Sequence, residues 1–330
     1  MKLAIVILNW NGRQLLEQFL PSVITYSSSE AQIYVADNAS TDDSVNYIKE
    51  TFPSVKIIQN QINGGYAKGY NDALKHIEAD VFCLLNSDVE VTENWLKPIV
   101  NVFKNEENTA IIQPKILDFH NRAYFEYAGA AGGFIDKFGY PYCRGRIFNT
   151  IERDTGQYND ELEIFWASGA CLFIRSHVFK TLKGFDEAFF AHMEEIDLCW
   201  RAKNLGYTVK YTGASKVYHV GGATLSTLNP KKTFLNFRNS LFTLTKNARG
   251  NLFLLIIIRL LLDGMASVKF LLAFKAKHSL AILKAHFSYY KHLPQLLKQR
   301  KNLNQNIKHY QKTSVVMAYF VYKQCHYKRL

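Results

Sequence analysis

Acidic residues are almost absent from the last third of this chain. The 330 residues include 40 Lys or Arg and 28 Asp or Glu, for a net charge of +12, but residues 230–330 contain 19 of the basic residues and one acid, Asp263. A region of this kind is attracted to nucleic acid or to an anionic membrane surface. No nucleic-acid-binding motif accompanies it, so we expect a membrane partner and no nucleic acid.

Closely spaced cysteines are also missing. The five cysteines include no pair with CxxC spacing, which argues against a zinc site and a disulfide framework. Cys83, Cys171 and Cys199 lie in apolar surroundings and are predicted to be core thiols, as in a reducing compartment. The N-terminal apolar run is too short for a signal peptide and predicts a first strand. These features predict a cytoplasmic protein.

The chain has no long hydrophobic run without charges. Its most apolar window, residues 252–274, is interrupted by Arg259, Asp263 and Lys269. Each charge costs roughly 2.5–3.5 kcal/mol at the centre of a membrane-spanning helix. We therefore expect a helix that lies in the membrane interface with these charges facing the head groups. The alternatives are a spanning helix, or ordinary helices that pack on the preceding domain.

Apolar runs that suit buried strands alternate with helical patterns in the first part of the chain. The predicted strands cover residues 3–8, 32–36, 55–59 and 81–85. This alternation predicts an α/β fold with a doubly wound, mostly parallel sheet. We predict one catalytic domain at 1–228 and a basic, mainly helical region at 229–330. Residues 118–162, rich in Gly and Tyr, are predicted to form a long loop or a small sheet insertion.

Polar side chains follow each predicted strand, at Asn9, at Asp37, at 60–63, and at Asn86 and Asp88. Ligands of open α/β sheets bind beyond the carboxyl ends of the strands, so these residues should share one edge. A carboxylate there suits Mg²⁺ or Mn²⁺ held against a diphosphate. The alternative is that Asn86-Ser87-Asp88 is only a turn or a helix cap.

A glycine pair opens the third predicted helix. Asn63, Gly64 and Gly65 would allow the backbone to approach a nucleotide closely. The chain contains neither G-x-G-x-x-G nor G-x-x-x-x-G-K-[ST], so neither a dinucleotide site nor a P-loop is indicated.

Three acids and a histidine crowd the start of the helix predicted at 192–206. Glu194, Glu195 and Asp197 exceed what capping needs, and a partly buried acid can act as a general base. Favourable interaction with the helix dipole could still explain one or two of them. His219, at the end of a later strand, is a candidate metal ligand or a merely structural histidine.

Six motifs and a trailing YHVGG (218–222) follow one another in a recognisable order. The six are VILNWNG (6–12), DNAS (37–40), NGGYAKGYN (63–71), LLNSDVE (84–90), SGACLFIR (168–175) and GFDEAFFAHMEEIDLCWR (184–201). Over about residues 1–225, the chain resembles the family-2 inverting glycosyltransferases of the GT-A fold, and most of all their rhamnosyltransferase-like members.

The resemblance implies roles for these residues. The loop at Asn9 and Asp37 would hold the nucleobase. The D-x-D element reads Asn86-Ser87-Asp88, so Asp88 would bind the metal, with His219 as a further ligand. The family's Glu-Asp pair reads Glu194-Glu195; Glu195 would be the base, and Asp197 the alternative.

The implied reaction is transfer of a sugar from a donor of the dTDP-rhamnose or UDP-hexose type. The acceptor would be a saccharide, lipid-linked, used in cell-surface polysaccharide synthesis. The basic C-terminal region would hold the enzyme on the inner face of the cell membrane. Two alternatives are a nucleotidyltransferase that makes a nucleotide sugar, and an inactive sugar- or membrane-binding module.

Overall fold

A computed structural model describes residues 1–221, 229–304 and 307–330. The predicted domain boundary between residues 228 and 229 adjoins a segment outside the described residues, as does Gly222 of the YHVGG motif. The boundary therefore stays a prediction.

The strands, in chain order, are β1 (Leu3–Asn9), β2 (Gln32–Asp37), β3 (Lys56–Gln59), β4 (Val81–Asn86), β5 (Val89–Val91), β6 (Thr109–Asp118), β7 (Gly133–Ile135), β8 (Pro141–Cys143), β9 (Arg146–Ile147), β10 (Thr150–Ile151), β11 (Glu161–Glu163), β12 (Cys171–Arg175) and β13 (Thr208–His219). The helices are α1 (Arg13–Ser27), α2 (Ser44–Thr51), α3 (Gly65–Leu74), α4 (Leu96–Asn105), α5 (Ser176–Thr181), α6 (Glu194–Asn204), α7 (Pro230–Asn247), α8 (Leu252–Leu272), α9 (Ala276–Lys301) and α10 (Val315–Phe320).

The main sheet is mostly parallel, as predicted. Its strand order is β11-β13-β6-β12-β4-β1-β2-β3, and β5 pairs with β13. β1 pairs in parallel with β2 and β4, and β13 in parallel with β6, whereas β12 runs antiparallel between β4 and β6. Residues 81–85 of β4 are fully buried, which explains their uninterrupted apolar run. Cys83, Cys171 and Cys199 are buried core thiols, as expected.

Several predicted boundaries shift. Only Cys171–Arg175 of the predicted strand at 163–175 forms β12, because the segment before it makes other contacts: the Ser168 amide donates to Gln113 Oε1 (2.8 Å). The two strands predicted at 209–211 and 216–220 are one strand, β13, with an irregular register between Thr212 and Lys216.

The insertion at 118–162 contributes a small antiparallel sheet in the order β10-β9-β8-β7, which confirms the predicted sheet insertion. The C-terminal region is mainly helical, also as predicted. α7 and α9 run side by side, and α7 also packs on α6. The region is tied to the insertion as well, since the Val315 amide donates to Asp136 Oδ2 (3.0 Å).

Two of the three charges of α8 differ from expectation, whereas Lys269 is exposed as expected. Arg259 and Asp263 do not face outward towards head groups: both are buried, and Arg259 Nε donates to Asp263 Oδ1 (2.8 Å), which also accepts from the Tyr140 hydroxyl (2.7 Å). The expectation was wrong because a polar partner from the insertion, Tyr140, lies on the inner side of α8. Within the described residues, no helix has the length and hydropathy that crossing a bilayer requires.

Candidate active site

Strand pairing brings Asp88 and His219 together. Asp88 lies in the tight connection between β4 and β5, and β5 pairs antiparallel with β13 so that Val89 faces His219. The Val220 amide donates to the Asp88 carbonyl (3.1 Å) and fixes this register. Asp88 Oδ1 lies 3.1 Å from His219 Nε2, and both side chains are buried.

This pair suits a divalent cation. Two adjacent ligands of an octahedral ion with bonds of about 2.1 Å lie about 3 Å apart, close to the separation of Asp88 Oδ1 and His219 Nε2. Asn86 Nδ2 lies 3.4 Å from the same imidazole nitrogen, so the amide is part of the cluster. No group of three or more His, Cys, Asp or Glu side chains gathers at one ion position in the described part of the chain. Substrate phosphates and water would therefore supply the other ligands, as is usual for Mg²⁺.

A second buried acid, Glu126, lies on the other side of the imidazole. Its Oε1 is 3.4 Å from His219 Nδ1, and its Oε2 accepts from the Ala128 amide. Burial disfavours the charged imidazole, but the charges of Glu126 and Asp88 outweigh it and raise the pKa of His219 to about 10. The cluster therefore has an excess of negative charge, which suits a metal ion.

The two glutamates of the 194–195 pair begin α6 after a strained turn. Phe190, His192 and Met193 all have positive φ angles, which are uncommon for residues other than glycine. Asn239 of α7 supports this turn: its Nδ2 donates to the carbonyls of residues 189 (3.0 Å), 191 (2.9 Å) and 192 (2.7 Å). The helix was predicted from residue 192 but begins at Glu194, because Met193 is left-handed.

Both glutamates are in a desolvated environment. Oε2 of Glu194 and Oε2 of Glu195 are buried and have no hydrogen-bond partner among the described residues. Burial raises the pKa of Glu195 to about 7, against the lowering effect of backbone N–H groups at the helix start. Burial, and then the charge of Glu195, raise the pKa of Glu194 well above its usual value. A base with a pKa near 7 is matched to proton transfer at neutral pH.

Hydrogen bonds connect α3 with the end of β4. The Asn86 amide donates to the Ala170 carbonyl (3.0 Å), and the neighbouring Gly169 carbonyl accepts from the Tyr66 hydroxyl (2.8 Å). Burial raises the pKa of Tyr66 well above its usual value, and the charges of both glutamates add to this effect.

The charges of Glu126 and Glu195 both act on one buried thiol, that of Cys143. Burial is the main cause that raises the pKa of Cys143; Arg146 opposes it, and the charges of Glu126 and Glu195 both reinforce it. Glu126 contacts His219, so Cys143 lies within electrostatic range of both groups of acids.

Asp197 has other partners. It is fully buried; its Oδ2 accepts from Arg201 Nε (2.7 Å), and its Oδ1 lies 2.9 Å from Lys246 Nζ and accepts from Asn247 Nδ2 (2.8 Å). Burial opposes the charged form, but Lys246 and Arg201 outweigh it and lower the pKa of Asp197 to about 2. These bonds argue against the alternative in which Asp197 is the base. Its observed role is to join α6 to α7.

The residues predicted to bind the nucleotide lie along the edge at the ends of β1, β2 and β3. Asp37 Oδ1 accepts from Asn9 Nδ2 (3.2 Å), and its Oδ2 accepts from the Ser40 amide (3.1 Å). Asn63 Oδ1 accepts from the Gly65 amide (3.0 Å) and from Asn38 Nδ2 (2.9 Å). The amides and carboxylate thus form one connected polar edge.

Close packing within the protein explains why glycine occupies positions 64 and 65. Gly65 has a φ of +76°, and a Cβ there would lie 2.5 Å from the Phe190 carbonyl oxygen. Its conformation brings α3 against the strained turn, and the Tyr66 amide donates to the same carbonyl (2.9 Å). Gly64 has an ordinary φ of −85°, but a Cβ there would lie 2.6 Å from the Cβ of Lys68.

A mostly parallel sheet that carries Asp88 beside His219 at its strand ends is typical of a GT-A type glycosyltransferase. The profile of glycosyl transferase family 2 matches residues 4–182, and the chain belongs to this family. The prediction of a family-2 glycosyltransferase is confirmed, and the nucleotidyltransferase and inactive-module alternatives are not retained.

Relatives and solved structures agree with this assignment. The chain is 24% identical over 232 residues to the N-acetylglucosaminyl-diphospho-decaprenol L-rhamnosyltransferase of Mycobacterium tuberculosis, covering 66% of this chain and 75% of the relative. It also resembles the S. aureus TarS 1–349 structure with UDP-GlcNAc (TM-score 0.58, 15% identity, 91% of this chain and 84% of that one). A third match is GalNAc-T7 with UDP, GalNAc and Mn²⁺ (TM-score 0.58, 16% identity). It covers 75% of this chain but only 48% of GalNAc-T7, so this chain spans about half of that protein.

Proposed function

We propose that this glycosyltransferase moves a sugar from a nucleoside-diphosphate sugar to a hydroxyl of a lipid-linked saccharide, with inversion at the anomeric carbon. The observation that carries the proposal is the Asp88–His219 pair, whose facing atoms lie 3.1 Å apart at the strand ends, and we propose that the desolvated Glu195 borders the same cleft. The first is suited to the leaving diphosphate, and the second to the attacking hydroxyl.

The chain's own residues account for a single displacement. The Glu195 carboxylate accepts the proton of the acceptor hydroxyl while its oxygen attacks the anomeric carbon from the face opposite the diphosphate. The bond between that carbon and the diphosphate oxygen breaks, and its electron pair leaves with the nucleoside diphosphate. Glu194, whose pKa is raised further, stays protonated beside the base.

Asp88 and His219 would hold the divalent cation, Mg²⁺ or Mn²⁺, with Asn86 beside them. When bound, the cation neutralises charge that develops on the leaving diphosphate. Glu126 Oε1 faces His219 Nδ1, so it can accept a hydrogen bond from the Nδ1–H group, which keeps the proton on Nδ1 and leaves the lone pair of Nε2 free for the metal. We further propose that Asn9, Asp37, Asn63, Gly64 and Gly65 border the nucleoside.

A lipid-linked acceptor agrees with the outer surface of the C-terminal helices. We define the apolar ridge as the exposed large apolar side chains of α8, α9 and the turn between them: Phe253, Leu254, Ile257, Leu261, Met265, Val268, Leu271, Leu272, Phe274, Leu280, Leu283, Phe287, Tyr290 and Leu297. On each helix these residues recur at spacings of mainly three and four, so they form one stripe per helix. Exposed lysines lie beside them, including Lys269 and Lys275.

The apolar ridge is suited to an anionic bilayer surface. Asp263, the one acid of residues 230–330, is buried against Arg259, so no acid of this region opposes the lysines. Each lysine near an anionic bilayer contributes roughly 1 kcal/mol of attraction. The Mycobacterium tuberculosis relative is named as an L-rhamnosyltransferase with a decaprenol-linked acceptor, which supports a lipid-linked acceptor and a donor of the dTDP-rhamnose type. The TarS structure contains UDP-GlcNAc, which supports the UDP-hexose alternative.

The proposal is tested by incubating the enzyme with a panel of nucleotide sugars, Mn²⁺ or Mg²⁺, and a polyprenyl-diphosphate saccharide. We expect metal-dependent release of nucleoside diphosphate and a product with the opposite anomeric configuration, measured by NMR. Asp88→Ala should abolish it, whereas Glu163→Gln, a change in an exposed acid of β11, should not. Retained anomeric configuration, or no transfer from any donor of the panel, would contradict the proposal.

A further inference from the structure

A basic groove lies between the first turns of α7 and α9. Its volume is about 450 Å³, and its wall contains three lysines, Lys231, Lys277 and Lys284, together with Phe234 and Leu280. The groove therefore joins cationic and apolar surface in one concave site. No acidic side chain lines it.

The two helices that form the groove are fixed to each other. α7 and α9 run parallel, because Thr233 contacts His278 near their starts (Oγ1 to Nδ1, 2.8 Å) and Thr245 contacts Tyr289 further along (2.9 Å between hydroxyl oxygens). Both contacts are at least partly buried. The lysines at the starts of the two helices are therefore held at the same end of the helical region.

One end of the groove meets the strained turn that precedes the two glutamates. Lys231 Nζ lies 5.2 Å from the centre of the Phe190 ring, in the strained turn that precedes Glu194. The next residue, Lys232, is partly buried. Burial lowers its pKa, and the charge of Glu126 opposes this effect.

The other side of the groove meets the apolar ridge. Leu280 belongs to both, and Leu283 and Phe287 continue the exposed stripe along α9. A molecule in the groove would therefore have the turn that precedes the two glutamates on one side and the proposed membrane surface on the other. A saccharide joined through phosphate to an isoprenoid lipid has these three parts in the same order.

We propose that this groove binds the phosphate or diphosphate group that joins the acceptor saccharide to its lipid. The inference rests on the proposed function and adds a binding site for the acceptor. Lys231, Lys277 and Lys284 supply ammonium donors for phosphate oxygens, and Phe234 and Leu280 contact the first isoprene units. α9 carries further lysines outside the groove, so general attraction to an anionic membrane does not depend on these three alone.

Those other lysines provide a matched control. Lys291 and Lys298 lie seven and fourteen residues after Lys284, so they share its face of α9, they are exposed, and they do not line the groove. The test compares the Lys277→Ala/Lys284→Ala double variant with Lys291→Ala/Lys298→Ala. Each is assayed with a polyprenyl-diphosphate saccharide and with a phosphate-free alkyl glycoside of the same sugar.

We expect the groove variant to raise KM for the diphosphate acceptor by about tenfold or more, a loss of about 1.4 kcal/mol, and to leave KM for the alkyl glycoside within about twofold. The control variant should change neither KM by more than that. An equal rise for both acceptors, or an equal effect of the two double variants on the diphosphate acceptor, would overturn the inference.

A binding measurement separates this inference from the proposed reaction. Farnesyl diphosphate is titrated into the full-length enzyme in the presence of EDTA, which removes metal-dependent binding at the donor site, and farnesol is the phosphate-free probe. We expect the wild type and the control variant to bind farnesyl diphosphate more tightly than farnesol, and the groove variant to lose this preference. Equal binding of the two probes by the wild type would overturn the inference that the groove binds the diphosphate group. Absence of transfer alone would contradict only the proposed reaction.

Discussion

Glu126 Oε1 lies 3.4 Å from Nδ1 of His219, and Asp88 Oδ1 lies 3.1 Å from Nε2 of the same ring. The imidazole is thus held between two buried carboxylates that come from different parts of the chain. Asp88 and the Nε2 atom are placed to bind a cation, while Glu126 orients the ring from behind. An outer carboxylate of this kind raises the basicity of the metal-binding histidine.

Removal of the outer carboxylate should weaken metal binding. For Glu126→Gln we expect about 10- to 100-fold lower affinity for Mn²⁺, measured by isothermal titration calorimetry or by EPR of free Mn²⁺. Glu163→Gln, which changes an exposed acid paired with Lys203, is the control and should bind Mn²⁺ as the wild type does. Unchanged Mn²⁺ affinity in Glu126→Gln would show that this contact does not support a metal site.

The rate of transfer should rise with pH. Burial raises the pKa of Glu195 to about 7, and the ionised form is the one that accepts a proton. At lower pH the fraction of ionised base falls tenfold per unit, so kcat/KM should fall with a slope of about one and reach a plateau above about pH 8. The exposed acid Glu187 lies in the same loop, and Glu187→Gln should leave the profile unchanged. A profile without this rise would reassign the base.

Asp197 should matter for stability. Replacement by Asn leaves Arg201 and Lys246 buried with a reduced counter-charge, for which we expect a loss of about 3–5 kcal/mol in the free energy of unfolding. Because the folded-state pKa of Asp197 is lowered to about 2, its stabilisation is present above the unfolded pKa near 4 and is lost as pH falls towards 2.

Urea denaturation of Asp197→Asn at several pH values measures this effect. Asp72→Asn removes a more exposed acid from its ion pairs and is the control. A variant that keeps wild-type stability but loses transfer completely would instead return Asp197 to the catalytic residues.

Much of the fold could be predicted, because buried parallel strands leave a simple apolar pattern. The runs at 3–8 and 81–85 became β1 and β4 nearly to the residue. Asp88 and His219 were both identified, but the sequence could not show that Val89 pairs with His219, since that register depends on a strand bridge across 130 residues.

Other residues carry no local signal. Glu126 lies in the insertion, follows no apolar run and begins no helix, and only its contact with His219 reveals its place. The partners of Asp197 could not be predicted from the sequence either, because Lys246 comes from another helix. The prediction that Arg259 and Asp263 face outward was wrong for a related reason. Tyr140, far away in the sequence, provides the hydrogen-bond partner that makes their burial possible.

The apolar ridge should bind membranes. Phe274→Glu/Phe287→Glu places two acids among its most exposed side chains, at 97% and 73% exposure, and should strongly reduce co-sedimentation with vesicles that contain phosphatidylglycerol. Leu205→Glu changes an exposed leucine at the end of α6 and is the control. Equal sedimentation of all three proteins would contradict a membrane role for the ridge.

The central claim is that Glu195 performs the chemistry while Asp88 holds the metal-bound donor. The most direct measurement follows transfer and Mn²⁺-dependent donor binding in parallel for Glu195→Gln and Asp88→Ala. We predict that Glu195→Gln lowers kcat by about 10²- to 10⁴-fold and still binds the donor, whereas Asp88→Ala loses both. A Glu195→Gln enzyme with wild-type kcat, or an Asp88→Ala enzyme with wild-type donor binding, would contradict the account.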